Sequence, residues 1–251
     1  MPHNKTRPTS PLSQHYATQL NSYDEVFRSE GELQPHWQPL LREIDRLGPA
    51  GLKRRSQVAQ RLLRENGVTF NVFDGLRGMS RPWHLDPIPL LISAEEWSVI
   101  EQGLLRRAEL LNLIFLDIYG PGKLVKNGLL PPELVFSHTG FQRCCFDLAL
   151  PRERPLVLCS SNLARGPHYR MWIIDDRVQS PSGAGYALEN RMVMTRIAPA
   201  LFRNYDVKRL AGFFQPLRDQ LARIAPQNRE NPHIVVLTPG PYSPSYFEHA
   251  Y

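Results

Sequence analysis

The sequence contains no long apolar run. No stretch approaches the ~20 consecutive apolar residues that a membrane-spanning helix requires, and residues 1–22 are mostly polar, without the apolar segment of a secretion signal. These two absences predict a soluble, cytoplasmic protein with no membrane partner. Enzymes, binding modules and nucleic-acid-binding proteins remain as the classes to weigh.

Cysteine is scarce. The chain has three cysteines, and Cys144 and Cys145 are neighbours whose Cα atoms, about 3.8 Å apart, are too close for ordinary disulfide geometry. The spacing fits no zinc site, and no histidine lies where it would activate a thiol. The pattern predicts a reducing compartment and three buried thiols.

Positive charge is in modest excess. The 30 Lys and Arg residues against 24 Asp and Glu residues give a formal net charge of +6 and a pI of about 9.4, which would attract any polyanion. The basic residues are dispersed, however, and the one dense run, Lys53 to Arg55, falls in a predicted amphipathic helix. A solvated helix face is therefore the preferred interpretation, and nucleic-acid binding is the third alternative.

The apolar periodicity predicts a mixed α+β fold. Of the 251 residues, 42% are hydrophobic, enough to bury the core of one large or two smaller domains. Residues 1–22 are predicted to be a flexible tail, residues 23–226 to carry the functional loop, and residues 227–251 to begin another domain. The patterns predict two packed helices within 37–66 with a Gly67 C-cap, helices over 97–119, 189–202 and 207–224, and strands over 68–73, 156–159, 171–174 and 233–237.

The stretch from Trp172 to Tyr186 could carry chemistry. An apolar strand leads into Asp175, Asp176 and Arg177, and a loop rich in Ser and Gly then runs towards a helix. Mg²⁺ prefers carboxylate oxygens together with substrate phosphates, arginine recognises phosphate with a planar fork, and glycine amides at a helix start approach an anion closely. The alternative is a surface ion pair beside a tight turn, which composition alone favours.

Longer motifs change that balance. The runs Asn162 to Pro167 and Trp172 to Arg191 resemble the signature of the circularly permuted ATP-grasp type 2 family. Supporting pieces are His36-Trp37, Glu65 to Asn71, Arg81 to Trp83, Asp86 to Pro89, Leu129 to Val135, Leu237 to Pro241 and Tyr246 to Tyr251. The resemblance covers roughly residues 23–251.

This resemblance implies a carboxylate–amine ligase similar to glutathionylspermidine synthase and glutathione synthetase. In such enzymes ATP activates a carboxylate as an acyl phosphate, which an amine attacks, so ATP and Mg²⁺ are the implied cofactors and small-molecule or peptide carboxylates and amines the implied substrates. The implied fold is a permuted ATP-grasp portion with packed helices and a small sheet, followed by the start of a Rossmann-like substrate domain. Nucleic acid is not an implied partner.

The resemblance also implies roles for individual residues. The metal ligands would be Asp175, Asp176 and Asn162. The cofactor contacts would be Ser180, Ser182, Gly183, Gly185 and Arg165, and the arginines stabilising phosphoryl charge would be Arg177 and Arg191. Glu189 and Asn190 either join the metal shell or only begin a helix, and Trp83 either lines the cleft or packs.

Two departures from the family pattern lower the expected metal affinity and ligase activity of this chain. Asn162 stands where the family usually has Asp, and a neutral amide is a weaker ligand for a hard cation; His168-Tyr169 likewise replaces the usual Asp-Gly turn. Family members also continue well beyond the position of Tyr251, so the chain is expected to be an N-terminal portion, incomplete as a ligase unless another chain supplies the missing half. A non-catalytic protein that binds a nucleotide or a partner is therefore the second hypothesis.

Overall fold

The structure, a computed structural model, describes residues 24–29, 32–74, 77–148, 155–166, 170–225 and 230–251. The predicted tail over 1–22 and the turn residues 75 and 167–169 lie outside these ranges. The described chain is built of helices and small two-stranded sheets, which confirms the mixed α+β class. It divides into two units, the first formed by Met1–Ser93, Ala164–Trp172 and Ser182–Tyr251 and the second by Ala94–Leu163 and Ile173–Pro181.

The elements follow one another along the chain with short connections. The helices are α1 (Gln38–Glu65), α2 (Ala94–Ile118), α3 (Lys123–Lys126), α4 (Pro132–Phe136), α5 (Ala184–Ile197), α6 (Pro199–Asn204), α7 (Phe214–Arg223) and α8 (Tyr246–Ala250). The strands are β1 (Phe27–Ser29), β2 (Glu32–Leu33), β3 (Thr69–Asp74), β4 (Arg77–Pro82), β5 (Ser160–Arg165) and β6 (Met171–Arg177). Strands β1 and β2 pair antiparallel, as do β3 and β4, while β5 pairs with β6.

Helix α1 is the predicted pair of helices, joined at a kink. Gly48 has φ +62° and ψ 176°, and Pro49 follows it, so the helix breaks where glycine permits a left-handed φ and proline lacks an amide hydrogen. At the C-terminal end, Gly67 has φ +68° and the amide of Val68 donates to the carbonyl of Leu63 at 2.9 Å. That arrangement is the predicted glycine C-cap, and it turns the chain into β3.

Glu43 braces the two halves of α1 across this kink. Its carboxylate accepts hydrogen bonds from Arg46 Nε and Nη2, both at 2.9 Å, and from Arg55 Nη2 at 3.0 Å. Arg55 is one of the three cations of the dense basic run Lys53 to Arg55, and it is engaged in an ion pair within the fold. The contact supports the interpretation of this run as part of a helix surface.

The buried core lies in the first unit. Helix α1 packs against α5 and α6, and each large aliphatic side chain fully buried there contributes about 1.5–3 kcal/mol relative to an exposed one. The buried residues of this cluster are Trp37, Leu40, Ile44, Ala59, Leu63, Val68, Tyr186, Val193, Met194, Ile197, Ala198 and Leu201. The position of α5, which begins directly after the predicted glycine loop, is therefore fixed by hydrophobic packing.

The second unit contains α2, which confirms the helix predicted over 97–119. Asn112 of α2 is buried, and its Oδ1 accepts a hydrogen bond from the amide of Leu156 at 3.3 Å. At the end of the helix, the Asp117 carboxylate accepts the amides of Lys123 and Leu124 at 2.9 and 2.8 Å. These two amides begin α3, which is thereby capped by a side chain of the preceding helix.

Several predicted boundaries are wrong. Residues 156–159 form no strand, because β5 begins at Ser160. Residues 233–237 form none either: Val235 and Leu237 are 86% and 97% exposed, and no strand of the described part of the chain pairs with them. The predicted helix over 189–202 is divided at Pro199, which starts α6, and regular α-helix within 207–224 begins only at Phe214. All three cysteines are exposed rather than buried.

The Rossmann-like domain from 227 stays a prediction.

Among the described residues, no helix has both the length and the apolar character needed to cross a bilayer.

Replacing Glu43 by Gln should lower the free energy of unfolding by about 1 kcal/mol at pH 7. Hydrogen bonds from Arg46, and then from Arg55, outweigh burial and hold the pKa of Glu43 below its usual range. A carboxyl whose pKa is lower in the folded state stabilises the fold above the usual glutamate pKa of about 4.3, and this contribution disappears as the pH falls further. In urea unfolding, the difference in unfolding free energy between the wild type and Glu43→Gln should be constant from neutral to weakly acidic pH. The difference should become smaller at lower pH.

Glu65→Gln is the matched control, since Glu65 lies on the same helix and is exposed beside Arg61. It should shift the urea midpoint much less than Glu43→Gln. An effect of Glu43→Gln that stayed undiminished at strongly acidic pH would show that the arginine contacts do not stabilise the kink.

Candidate functional site

The two predicted metal carboxylates lie inside strand β6, not beyond its end. Successive side chains of a strand point to opposite faces, and Asp175 is exposed while Asp176 is largely buried, with a side chain 11% exposed. Arg177 is exposed at the last position of the strand. The adjacent carboxylates therefore have different surroundings.

Asp176 is held by an ion pair within the second unit. Arg107 of α2 donates from Nε at 2.7 Å, and its Nη2 lies 2.6 Å from the same oxygen, Oδ2. Ser161 Oγ donates to Oδ1 at 2.7 Å. The Arg107 hydrogen bond, supported by Ser161 and by the arginine charge, outweighs burial and lowers the pKa of Asp176. Asp176 could bind a cation only by giving up these contacts.

Asp175 and Asn162 come together on the exposed face. Asn162 Nδ2 donates to Asp175 Oδ1 at 2.7 Å, which leaves the amide oxygen of Asn162 and the second carboxylate oxygen of Asp175 for another ligand. Within the described ranges, no group of three or more His, Cys, Asp or Glu residues is placed to hold a metal ion. A cation here would therefore need most of its ligands from substrate or water.

The glycine loop in the first unit already holds a carboxylate. Gly183 has φ +121°, and its amide donates to both carboxylate oxygens of Glu248 at 2.7 and 2.8 Å. The amide of Gly185 donates to Glu248 Oε1 at 2.7 Å. Such converging amides at a helix start bind anions, because the N–H groups and the helix dipole both favour negative charge.

Gly185 has no room for a side chain. A Cβ at this position would lie 2.9 Å from Cγ of Glu248, so only glycine lets the carboxylate reach the loop amides. Glu248 comes from α8, and the preceding segment is anchored to β3, where the amide of Asn71 donates to the carbonyl of Pro244 at 2.9 Å. Glu248 was not among the predicted site residues, although it lies in the Tyr246 to Tyr251 motif that supports the family resemblance.

The remaining predicted loop and cofactor residues are dispersed. Ser180 has φ +45°, and both Ser180 and Ser182 are exposed. Arg165 is buried, with a side chain 8% exposed, and its Nε donates to Glu25 Oε1 at 2.6 Å. Its charge is thus compensated within the first unit.

Glu189 and Asn190 serve the packing of α5. Glu189 is 1% exposed, and its Oε1 accepts Asn66 Nδ2 from the end of α1 at 2.6 Å. Asn190 Oδ1 accepts Trp83 Nε1 at 2.8 Å. In turn the Trp83 ring stacks on Tyr186 with centroids 4.5 Å apart, which favours the packing interpretation of this tryptophan over a place in the cleft.

Arg191 follows on the same helix, in a different setting. Its guanidinium lies 5.8 Å from the centroid of the Phe202 ring. Burial lowers the pKa of this guanidinium. Together with Thr195 and Tyr205 it lines a cavity to which Gly183 and Gly185 do not contribute.

Comparison with known proteins shows the family. The model of the family described as circularly permuted ATP-grasp type 2 matches residues 89–251. The chain belongs to this family.

The relatives of this ATP-grasp chain are longer proteins. The uncharacterized protein Rv2567 of Mycobacterium tuberculosis is 36% identical over 237 residues, covering 91% of this chain and 27% of the relative. The uncharacterized protein sll0335 of Synechocystis is 34% identical over 231 residues, covering 92% and 48%. The uncharacterized protein Rv2411c of M. tuberculosis is 32% identical over 229 residues, covering 91% and 41%. The chain thus spans about a quarter to a half of these relatives.

ATP-grasp enzymes in general use ATP and Mg²⁺, and the donor groups present fit these ligands. The loop amides bind the carboxylate of Glu248 as they would a phosphate oxygen, and Gly185 leaves the close approach open. Asn162 and Asp175 offer one amide and one carboxylate, and Mg²⁺ commonly takes one or two carboxylates together with phosphates and water.

Replacing Glu189 by Ala should lower the free energy of unfolding by about 2–4 kcal/mol, because it leaves a cavity and removes the acceptor of Asn66. Glu65→Ala, the same change at an exposed position, should cost less than about 0.5 kcal/mol. Chemical denaturation of both variants measures the difference. A normal stability of Glu189→Ala combined with weakened Mg²⁺ binding would instead place Glu189 in the metal shell.

Proposed function

We propose that this chain is the nucleotide-binding portion of an ATP-dependent carboxylate–amine ligase. The observation that carries the proposal is the anion cradle at the start of α5, where the amides of Gly183 and Gly185 converge on a carboxylate. The chain belongs to the ATP-grasp family, whose enzymes in general use ATP, and this supports a phosphate group of ATP as the anion that the amides bind.

The glycine amides are proposed to bind a phosphate group of ATP. Glu248 occupies the same donors and so competes with the nucleotide from within the chain. Its carboxylate carries one negative charge, whereas a terminal phosphate offers more charge and three acceptor oxygens, which favours exchange when ATP arrives. Glu248 would then swing away, or rotate its carboxylate off the amides, as the phosphate binds.

Asp175 and Asn162 are proposed to hold Mg²⁺, with phosphate oxygens and water completing the shell. Asp176 is assigned to the support of β6, because its two oxygens are engaged by Arg107 and Ser161. It would join the metal only if Arg107 released it. Arg177 is exposed and forms no ion pair with a described carboxylate, and it is proposed to face developing phosphoryl charge.

In the proposed reaction, the substrate carboxylate oxygen attacks the γ-phosphorus of ATP, and ADP leaves. The acyl phosphate formed is attacked by an amine at its acyl carbon, phosphate leaves, and the amine loses a proton to give an amide. The proposal includes similarity to glutathionylspermidine synthase and a Rossmann-like substrate domain from residue 227. Because the chain spans only part of its relatives, the proposal also includes further polypeptide that completes the ligase.

Replacing Glu248 by Ala should strengthen Mg-ATP binding while it weakens the fold. The loss of the charge-assisted hydrogen bonds should cost about 1–2 kcal/mol of unfolding free energy. Removing an internal competitor worth about 1 kcal/mol should tighten Mg-ATP binding about fivefold, since 1.4 kcal/mol corresponds to a factor of ten. Isothermal titration and urea unfolding of the same preparations measure the two opposite changes.

Glu230→Ala is the matched control, because it removes the same charge from an exposed position of the first unit. It should change neither quantity appreciably. Absence of heat with millimolar Mg-ATP for both the wild type and Glu248→Ala would overturn the proposal and leave the non-catalytic, partner-binding alternative. A salt-sensitive shift of mixed oligonucleotides, without ATP binding, would point to the nucleic-acid alternative.

Variants of the two adjacent carboxylates, Asp175 and Asp176, distinguish metal binding from structural support. Asp175→Asn should weaken Mg-ATP binding about tenfold or more, leave ATP binding in the presence of EDTA unchanged, and leave the unfolding midpoint unchanged because Asp175 is exposed. Asp176→Asn should lower the free energy of unfolding by about 1 kcal/mol without weakening Mg-ATP binding. Equal loss of Mg-ATP affinity in both variants would restore the two-carboxylate metal site that the resemblance implies.

A further inference from the structure

A second candidate binding site lies beside α5, away from the glycine loop. Its cavity has a volume of about 330 Å³, at the lower end of the range of small-molecule sites. The lining residues are Arg191, Thr195, Phe202, Tyr205, Asp206, Val207, Lys208 and Arg209. All of them belong to the first unit.

The cavity is lined by three cationic side chains and one carboxylate. The lining includes Arg191, Lys208 and Arg209 together with Asp206, a formal net charge of +2 from three positive charges less one negative. Neither Arg191 nor Arg209 has an ion pair with any described carboxylate. Positive charge concentrated in a concave site attracts anions and raises their local concentration.

Arg191 is the most constrained of the three cations. It is partly buried, its pKa is lowered by loss of hydration, and its guanidinium lies over the Phe202 ring. A guanidinium retains its charge even when partly desolvated, and it presents a planar set of donors that matches a carboxylate or phosphate. An anion in the cavity would replace the hydration that Arg191 has lost.

The aromatic walls give the site a second property. Phe202 and Tyr205 both line the cavity, and Tyr205 is held in place by its hydroxyl group. That hydroxyl accepts the amide of Leu40 at 2.9 Å and donates to the carbonyl of His36 at 2.8 Å. The wall is therefore anchored to the start of α1 and is preformed, which lowers the entropic cost of binding.

We infer that this cavity binds a small anionic molecule, in which a carboxylate or phosphate group is attached to a planar, apolar body. The charged group contacts Arg191 and Arg209, and the planar body lies against Phe202 and Tyr205. The inference is independent of the proposed ligase function, since it uses neither the glycine loop nor Asp175.

The test compares molecules of the same shape and opposite charge. Benzoate and phenyl phosphate are titrated into the full chain, with benzamidine as the cationic counterpart of benzoate, and binding is followed by calorimetry and by the backbone NMR signals of Thr195 and Val207. Benzoate or phenyl phosphate should bind and shift both signals, and the tighter of the two identifies the charged group. Benzamidine should shift neither signal.

Charge-matched variants locate the site. Arg191→Gln should weaken binding of the anionic probe at least tenfold, and Arg209→Gln at least threefold. Arg196→Gln removes the same charge from an exposed position of α5 outside the cavity and should change binding less than twofold. Phe202→Leu should weaken benzoate while leaving inorganic phosphate, used as a probe without a planar body, unaffected.

Each contrary result overturns the inference. It fails if neither anion binds, if benzamidine binds as tightly as benzoate, or if Arg196→Gln weakens binding as much as Arg191→Gln does. Thermal unfolding of every variant checks that the fold is retained. Should Arg191→Gln fail to fold, Arg209→Gln carries the same test from an exposed position.

Discussion

The burial of α5 against α1 is the constraint on which the first unit depends. Val193 and Ile197 on one face of α5 enter the same core as Leu40 and Leu63 of α1, and Glu189 ties the start of α5 to the end of α1 through Asn66. A fully buried carboxylate is costly unless it is hydrogen-bonded, and with its partner it fixes one orientation of the helix. Everything that α5 carries, from the glycine amides to Arg191, is positioned by this packing.

That positioning explains why a flexible-looking glycine segment can hold an anion. The amides of Gly183 and Gly185 converge because they precede a helix whose later turns are immobilised in the core, not because the loop itself is rigid. Glu248 then satisfies donors that would otherwise lack a partner at the helix start. An internal carboxylate of this kind stabilises the unliganded fold and sets a threshold of affinity that any incoming phosphate must exceed.

The sequence predicted features that depend on local rules. The helical segments within 37–66, the glycine C-cap at Gly67 and the helix over 97–119 all follow from residues within a few positions of one another, and all three were confirmed, although the kink that joins the two segments of α1 was not predicted. The separation of Asp175 from Asp176 was not anticipated, because the strand was expected to end before them, whereas a strand that continues through both places them on opposite faces. The strand expected over 233–237 failed for the complementary reason: β-branched residues favour a strand only where another strand pairs with them.

Contacts between distant parts of the chain could not be predicted in this way. Arg107 contacts Asp176, 69 positions away in the sequence, and Glu248 contacts Gly183, 65 positions away. The spacing of apolar residues along the sequence does not indicate pairs so far apart. The motif containing Glu248 marked the segment as significant without indicating what the carboxylate contacts. The site could thus be located approximately from motifs, while the assignment of its side chains required the fold.

The three arginines singled out by the family pattern show why that assignment matters. The side chain of Arg165 is largely buried and its Nε is bonded to Glu25, so part of its charge is already compensated within the fold. Arg177 is exposed, and an interaction made there is weakened by water and salt. Arg191 combines partial desolvation with the absence of a described acidic partner, and an anion that meets it loses little and gains a strong, directional contact. Of these three identical side chains, Arg191 is therefore the one whose surroundings leave its charge most available to a ligand.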